Sequence, residues 1–382
     1  MAHQTGANMP STGHIVTVVG ARPNLMKLAP LVRAFKGQAS MIRHSIVHSG
    51  QHSDPAMDSA LFEALNIPAP AWHLGACTWE GRANRLAGFI DGLSEAFSDL
   101  SPDWVVSIGD VDTALAAALA AKMRSIPLAH IEAGARSGNL AMPEEQNRRL
   151  IDAVADLYFA VDQRDRDNLV REGISPDVVH VVGSLMADCA LQKIEQARTR
   201  GTARALGLQL QGYLTLTLHR PENVDSAETL SGLLEAIASG AGDLPILFPV
   251  HPRTRPTLEL VLSLRPGWAG QLIFREPAGY LDMLDLISGS RVVVTDSGGL
   301  QEECGVLACP CVVVRDHVER PEMLELPSQY KGSTNPEQLA RAIRKAMTQP
   351  AESRPHLQPF AALDGRAAER IAGIFRTLFE GR

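Results

Sequence analysis

The sequence predicts an α/β protein built as two Rossmann-like domains with a cleft between them, and three observations carry that prediction. The chain has 382 residues, more than one ordinary hydrophobic core uses and suited to two domains. Short runs rich in valine and leucine alternate with longer stretches of helical periodicity, the pattern of βαβ units on a parallel sheet. The short runs lack the apolar–polar alternation of half-exposed strands, as expected when both faces of a parallel sheet are covered.

The elements follow in order. Residues 1–13 are polar and aperiodic and read as a disordered tail. The first domain is placed at 14–190. HIVTVVG reads as its first strand, NLMKLAPLVRAFKG as the helix that follows, and IRHSIVHSG as the next strand. TWEGRANRLAGFIDGLSEAFSDL carries a long helical pattern, and PDWVVSIGD is a strand leading into the helix TALAAALAAKMRS. PLAHIEAG is another strand, joined through a polar loop to the helix NRRLIDAVA. KIEQARTRGTARALGLQLQG, rich in charge and glycine, reads as the join. The second domain is placed at 191–360, with strands in GYLTLTLHRPENVD, LPILFPVHPRTRP, GQLIFREPAGYLDML, SRVVVTDSGGLQEECG and PCVVVRDHVERPE. Residues 361–382 read as a helix that packs back on the first domain.

Composition narrows the chemistry. Hydrophobic content of 45%, charged content of 21% and a net charge of −7 give no basic face for nucleic acid or an anionic membrane. A cation serving an anionic ligand must therefore be local. The five cysteines, Cys77, Cys189, Cys304, Cys309 and Cys311, lack the paired spacing of a metal site. No signal peptide is evident and no apolar run reaches the ~18 residues of a membrane span, so a cytoplasmic chain is expected.

The polar clusters follow the strands, where ligands sit in sheets of this kind. In GARPNLMK, Arg22 lies in the turn and Lys27 about one helical turn later, so both can serve an anion near a helix start. The spacing is not G-x-G-x-x-G, so a nicotinamide cofactor finds no support. In TDSGGLQEE, Gly298 and Gly299 let backbone N–H groups approach a phosphate, and the Ser297 hydroxyl adds a donor. Glu303 lies deeper in that helix and suits a pair of ribose hydroxyls. Together these read as a nucleoside diphosphate site. Asp110, Glu132 and Glu144 follow strands or lie in a loop, and clustered carboxylates can supply an acid and a base near neutrality. Arg148, four residues beyond Glu144, is placed to orient one of them. His219 and Arg220 follow a strand in LHRPENVD, where a histidine can bind phosphate or move a proton. Each piece alone also fits a cap, a glycine turn or a solvated charge; the series favours chemistry.

GARPN-x-x-K, SGQH, GD before a small-residue helix, H-x-EAG, MPEE-x-NRR, HRPEN, TDSGG-x-QEE and RD-x-x-ERPE occur in this order. As a set they resemble the non-hydrolysing UDP-N-acetylglucosamine 2-epimerases, over nearly the whole chain after the tail. The resemblance implies the glycosyltransferase-B fold, a UDP-sugar substrate, no cofactor and a homodimer. It implies that Asp110, Glu132, Glu144 and His219 are catalytic. It assigns substrate contacts to Arg22, Lys27, Gln51, His52, Arg148, Arg220, Asn223, Ser297, Gly298, Gly299, Glu303 and Arg320. The implied reaction interconverts UDP-GlcNAc and UDP-ManNAc through 2-acetamidoglucal. A hydrolysing relative, an epimerase of a modified UDP-sugar, a glycosyltransferase and a UDP-sugar sensor are the rivals. The chain departs from the family at GDVDT, where Asp112 adds a negative charge beside the expected sugar site, and at QHSDPAMD, which differs from the form seen in members activated by their own substrate.

Overall fold

Two parallel sheets organise the computed structural model, which describes residues 12–51, 55–75, 79–264, 271–316, 321–349 and 363–381. The first contains β1 (Gly13–Val19), β2 (Ile42–His48), β3 (Trp72–His73), β4 (Trp104–Ile108), β5 (Leu128–Ile131), β6 (Leu157–Ala160) and β7 (Val179–Val181). Its spatial order is β3-β2-β1-β4-β5-β6-β7, and its pairs are parallel. The second contains β8 (Leu214–Thr217), β9 (Ile246–Pro249), β10 (Leu272–Arg275), β11 (Val292–Thr295), β12 (Cys311–Val313) and β13 (Gln329–Lys331). Its order is β10-β9-β8-β11-β12-β13, again with parallel pairs. Every residue of β1 and β11 is buried, which is why neither run alternates in polarity.

In each sheet the order of the strands reverses beside its first strand. The loops after β1 and β4 flank the reversal in one sheet, and those after β8 and β11 flank it in the other. Ligands of open α/β sheets bind outside the carboxyl ends of strands at such reversals.

Contacts divide the chain after Cys189, and the C-terminal helix Ala367–Glu380 belongs with the first unit. Its Phe375 ring lies 5.9 Å from Phe35, 5.7 Å from Trp104 and 5.8 Å from Phe159, centroid to centroid. Phe379 occupies the space that a Cβ on Gly13 would need. Asp188 accepts from the first amides of that helix, Ala367 N at 3.2 Å and Ala368 N at 2.8 Å, satisfying donors that a helix start leaves over.

One expectation shifts. Gly13 is part of β1 and not of a tail; residues 1–11 lie outside the described residues. The polar stretch read as a join is helical through Arg200, in the helix Leu185–Arg200, with a short helix Thr202–Ala205 beyond it. Lys, Glu, Gln, Ala and Arg favour helix despite their polarity, and the interruption comes at Gly201, whose φ of +64° suits glycine at a helix end. Among the described residues no helix is long and apolar enough to cross a membrane.

Candidate active site

In the first unit the carboxylates expected at strand ends are held by cations. The helix Arg22–Lys36 starts just after β1, with Pro23 in its first turn and Arg22 exposed at its first position. One turn on, Lys27 Nζ donates to Glu132 Oε2 at 2.6 Å. Glu132 directly follows β5 with φ +67°, a conformation uncommon for a residue with a side chain. Gly109, after β4, has φ +69°, and a Cβ there would lie 3.5 Å from Glu132 Oε2 and 3.7 Å from Lys27 Nζ. Asn24 ties the same helix start to β4 by donating to the Ile108 carbonyl at 2.6 Å.

Asp110 is partly exposed and receives Arg148 Nε at 2.8 Å. Arg148 also donates to Glu145 at 2.9 Å, so its partners are Asp110 and Glu145; Glu144 is exposed on the first turn of the helix Pro143–Val154. The three-residue step from Glu145 to Arg148 brings both onto one helical face. Glu145 is fully buried. Burial would raise its carboxyl, but the Ser137 amide and hydroxyl with Arg149 and Arg148 outweigh that and hold it below the usual range.

The extra carboxylate in GDVDT is compensated. Asp112 begins the helix Asp112–Met123 and takes hydrogen bonds from Arg82 Nε (3.0 Å), Arg85 (3.1 Å) and Asn147 (3.2 Å). Burial pushes it up, and these donors more than offset the push, leaving it depressed. Asn147 links the group onward: its amide donates to the Asp110 carbonyl at 2.7 Å and its oxygen accepts from Arg82 at 2.7 Å. Gln51 accepts from the Thr113 amide at 3.0 Å and hydroxyl at 2.6 Å, stitching the turn after β2 to the same helix start. His52 lies outside the described residues.

In the second unit Asp296 organises the switch between β8 and β11. It is fully buried and accepts from the amides of His219 and Arg220 at 3.0 and 2.9 Å and from Asn223 at 3.0 Å. Its other oxygen pairs with His219 Nδ1 at 2.9 Å, which turns Nε2 away from that carboxylate. Burial raises Asp296, and His219, Asn223 and Arg220 outweigh it. Asn223 is buried and also donates to the Val314 carbonyl at 3.2 Å, so it holds the frame of the loop. Ser297 caps the helix Gly298–Val306 by accepting from Leu300 N. Gly298 and Gly299 form its first turn, where a helix presents unsatisfied amides to an anion. Glu303 is buried in this helix; burial pushes its carboxyl up to about 8, opposed by a Tyr280 hydrogen bond and reinforced by Glu302. Arg320 lies outside the described residues.

The structure therefore brings Lys27 to Glu132 and Arg148 to Asp110 in one unit, and His219 to the loop before Gly298 in the other. Sequence reasoning missed Glu145, Asn147 and Asp296. Glu145 was visible three residues before Arg148, and Asp296 was visible inside TDSGG as soon as β11 is laid beside β8. Among the described residues no group of His, Cys, Asp or Glu is arranged to hold a metal ion.

The family profile of UDP-N-acetylglucosamine 2-epimerase matches residues 35–376. The UDP-N-acetylglucosamine 2-epimerase of Methanocaldococcus jannaschii is 36% identical over 94% of this chain and 97% of its own length. The UDP-2,3-diacetamido-2,3-dideoxy-D-glucuronate 2-epimerase of Pseudomonas aeruginosa is 33% identical over 94% of this chain and 99% of its own. Among solved structures, the M. jannaschii UDP-GlcNAc 2-epimerase in complex with UDP-GlcNAc and UDP gives a TM-score of 0.83 at 34% identity, covering 95% of this chain and 99% of the other. The Neisseria meningitidis UDP-GlcNAc 2-epimerase bound to UDP-GlcNAc gives 0.80 at 25% identity, covering 97% and 100%. With its sequence matched across most of its length, this chain belongs to the UDP-N-acetylglucosamine 2-epimerase family.

Proposed function

We propose that this protein interconverts UDP-N-acetylglucosamine and UDP-N-acetylmannosamine without net hydrolysis. The observation that carries the reading is a pair of carboxylates, Asp110 and Glu132, following the adjacent strands β4 and β5, each held by its own cation. The cation limits the rotamers of the carboxylate it holds, which suits proton transfer at a fixed carbon.

The C2 proton of the sugar is not beside a carbonyl, so direct removal is too costly. Departure of UDP builds positive charge at C1 and acidifies C2. The C1–O bond breaks with its electrons going to the β-phosphate oxygen. A carboxylate then takes the C2 proton, and the C–H electron pair becomes the C1=C2 double bond of 2-acetamidoglucal. The second carboxyl, in its protonated form, gives a proton to C2 on the opposite face, and return of the phosphate oxygen to C1 gives the epimer. Atoms and electrons balance without an oxidant. In this reading the Gly298–Val306 helix start, Arg220 and His219 hold the diphosphate, Glu303 accepts from the ribose, and Glu144 and Arg148 support the sugar carboxylates. Relatives named for UDP-GlcNAc epimerisation at 36% and 33% identity support the substrate.

Proton NMR of UDP-GlcNAc with the enzyme in D2O tests the proposal. Deuterium at C2 of a retained UDP-sugar mixture is the expected result. Free N-acetylmannosamine would mean a hydrolysing enzyme, and an unchanged spectrum would remove the reading. A second reading, an epimerase of a modified UDP-sugar, is favoured by the 33% identity to the diacetamido-glucuronate enzyme. Deuterium uptake by that sugar nucleotide and not by UDP-GlcNAc would select it.

A further inference from the structure

His130 lies in β5, two residues before Glu132, and its side chain is fully buried. Its Nδ1 lies 2.6 Å from Asp152 Oδ1 and its Nε2 lies 2.9 Å from the Gly109 carbonyl oxygen. A carbonyl can only accept, so Nε2 carries a hydrogen. Asp152 is itself an acceptor for the Gly134 amide at 3.1 Å and for Arg136 at 2.7 Å on its second oxygen. Two donors, the Gly134 amide and the Arg136 guanidinium, converge on one buried carboxyl and favour its ionised form, and an ionised carboxylate leaves Nδ1 as the donor. Both ring nitrogens then bear hydrogens.

We propose that His130 is a buried imidazolium, and that its bond to the Gly109 carbonyl makes it the positioning residue for Asp110. The positioning half rests on the catalytic reading of Asp110 above; the charge does not. The groups facing the ring are Asp152 from the Pro143–Val154 helix, Arg136 behind that carboxylate, and the Gly109 carbonyl after β4. The Tyr158 hydroxyl of β6 donates to the Asp152 main-chain oxygen at 2.8 Å, fixing the helix end that carries the carboxylate.

Gly109 is pinned at both ends. Its amide donates to Ile131 O at 2.9 Å, and its carbonyl accepts from His130. That peptide leads directly to Asp110, so its orientation sets where the Asp110 side chain emerges. Arg148 and Asn147 grip Asp110 from the other side, through its carboxylate and its carbonyl. His130 thus completes a three-point hold on one residue, with a charge that strengthens its bond to a neutral acceptor.

Histidine-selective 15N NMR tests the charge in the wild-type protein. At about pH 8, where an ordinary histidine is neutral, both His130 ring nitrogens should show protonated-nitrogen shifts and one-bond N–H couplings. A bare ring nitrogen on His130 overturns it. Coupling across the hydrogen bond from Nε2 to the Gly109 carbonyl carbon should also be present, and its absence overturns the hold on Gly109. Two variants separate positioning from packing. His130→Asn keeps a donor at the Nδ1 position toward Asp152 and loses the Gly109 bond; His130→Gln extends a donor toward Gly109. The Asn variant should lose about 10- to 100-fold in kcat, the scale of a reacting group misplaced by ~1 Å, with KM and UDP affinity near wild type. Gln should recover much of that loss. Equal kcat in both variants and the wild type overturns positioning, and if neither variant folds, the wild-type resonances still decide. A wild type that turns over no UDP-sugar would defeat the proposed function while leaving those resonances readable.

Discussion

Glu303 carries its proton at neutral pH in the free protein, because burial moves its carboxyl from 4.5 up to about 8. A carboxyl raised on folding contributes stability fully below its unfolded value and loses it as the pH climbs through the folded value. The wild type should therefore lose urea resistance between about pH 5 and about pH 8.5 more steeply than Glu303→Gln, which has nothing to titrate there. A ribose clamp needs the anion, so UDP binding near neutrality should expel close to one proton, read by calorimetry in buffers of different ionisation enthalpy. A release that persists unchanged in Glu303→Gln would defeat the clamp. Asp296 behaves oppositely. Its depressed carboxyl stabilises the fold fully above the unfolded value, and that stability is lost as the pH falls through the lower folded value. Asp296→Asn sets an amide donor among amide donors and should cost about 1–3 kcal/mol, together with weaker UDP binding from a released His219. Unaltered affinity would show that His219 needs no such support. For Asp110→Asn and Glu132→Gln, kcat should fall about 100- to 10,000-fold with UDP affinity little changed; near-normal turnover in both would remove the proton-transfer roles.

Strands were easy to read because burial on both faces leaves a run of β-branched residues, and the turns because glycines punctuate them. What the chain order hides is which strand ends meet. Asp296 and His219 are far apart in sequence and become neighbours because β11 pairs with β8 in parallel, Thr295 opposite Thr217. In TDSGG the serine and glycines drew the functional reading, and the aspartate beside them holds the loops together. The same holds for His130, quoted within H-x-EAG but meaningful only once β5 lies beside β4. Asp112 looked like an unwelcome charge until the Arg82–Leu100 helix brought Arg82 and Arg85 to it. The element with the clearest energetic prediction is the helix Ala367–Glu380. Phe375→Ala removes a fully buried ring shared by Phe35, Trp104 and Phe159 and should cost about 3–5 kcal/mol. Faster hydrogen exchange in β1 and β4, with β8 and β11 unaffected, is the expected pattern; uniform acceleration across both sheets would contradict separate cores.

At the scale of the whole molecule the chain closes its first unit with residues that come after its second. The helix bearing Phe375 and Phe379 is made after every other described element. At the usual ~5–20 residues per second, roughly 10–40 s of synthesis separate Cys189 from that helix. During this interval Phe35, Trp104 and Phe159 lack the ring that they will pack against, and Gly13 lacks the one that covers it. The second unit has no such debt and can finish first, so the nascent protein reverses the order in which its halves are written. A ribosome stalled before Ala367 would hold a first unit still waiting for its last helix, its aromatic seam open to a chaperone.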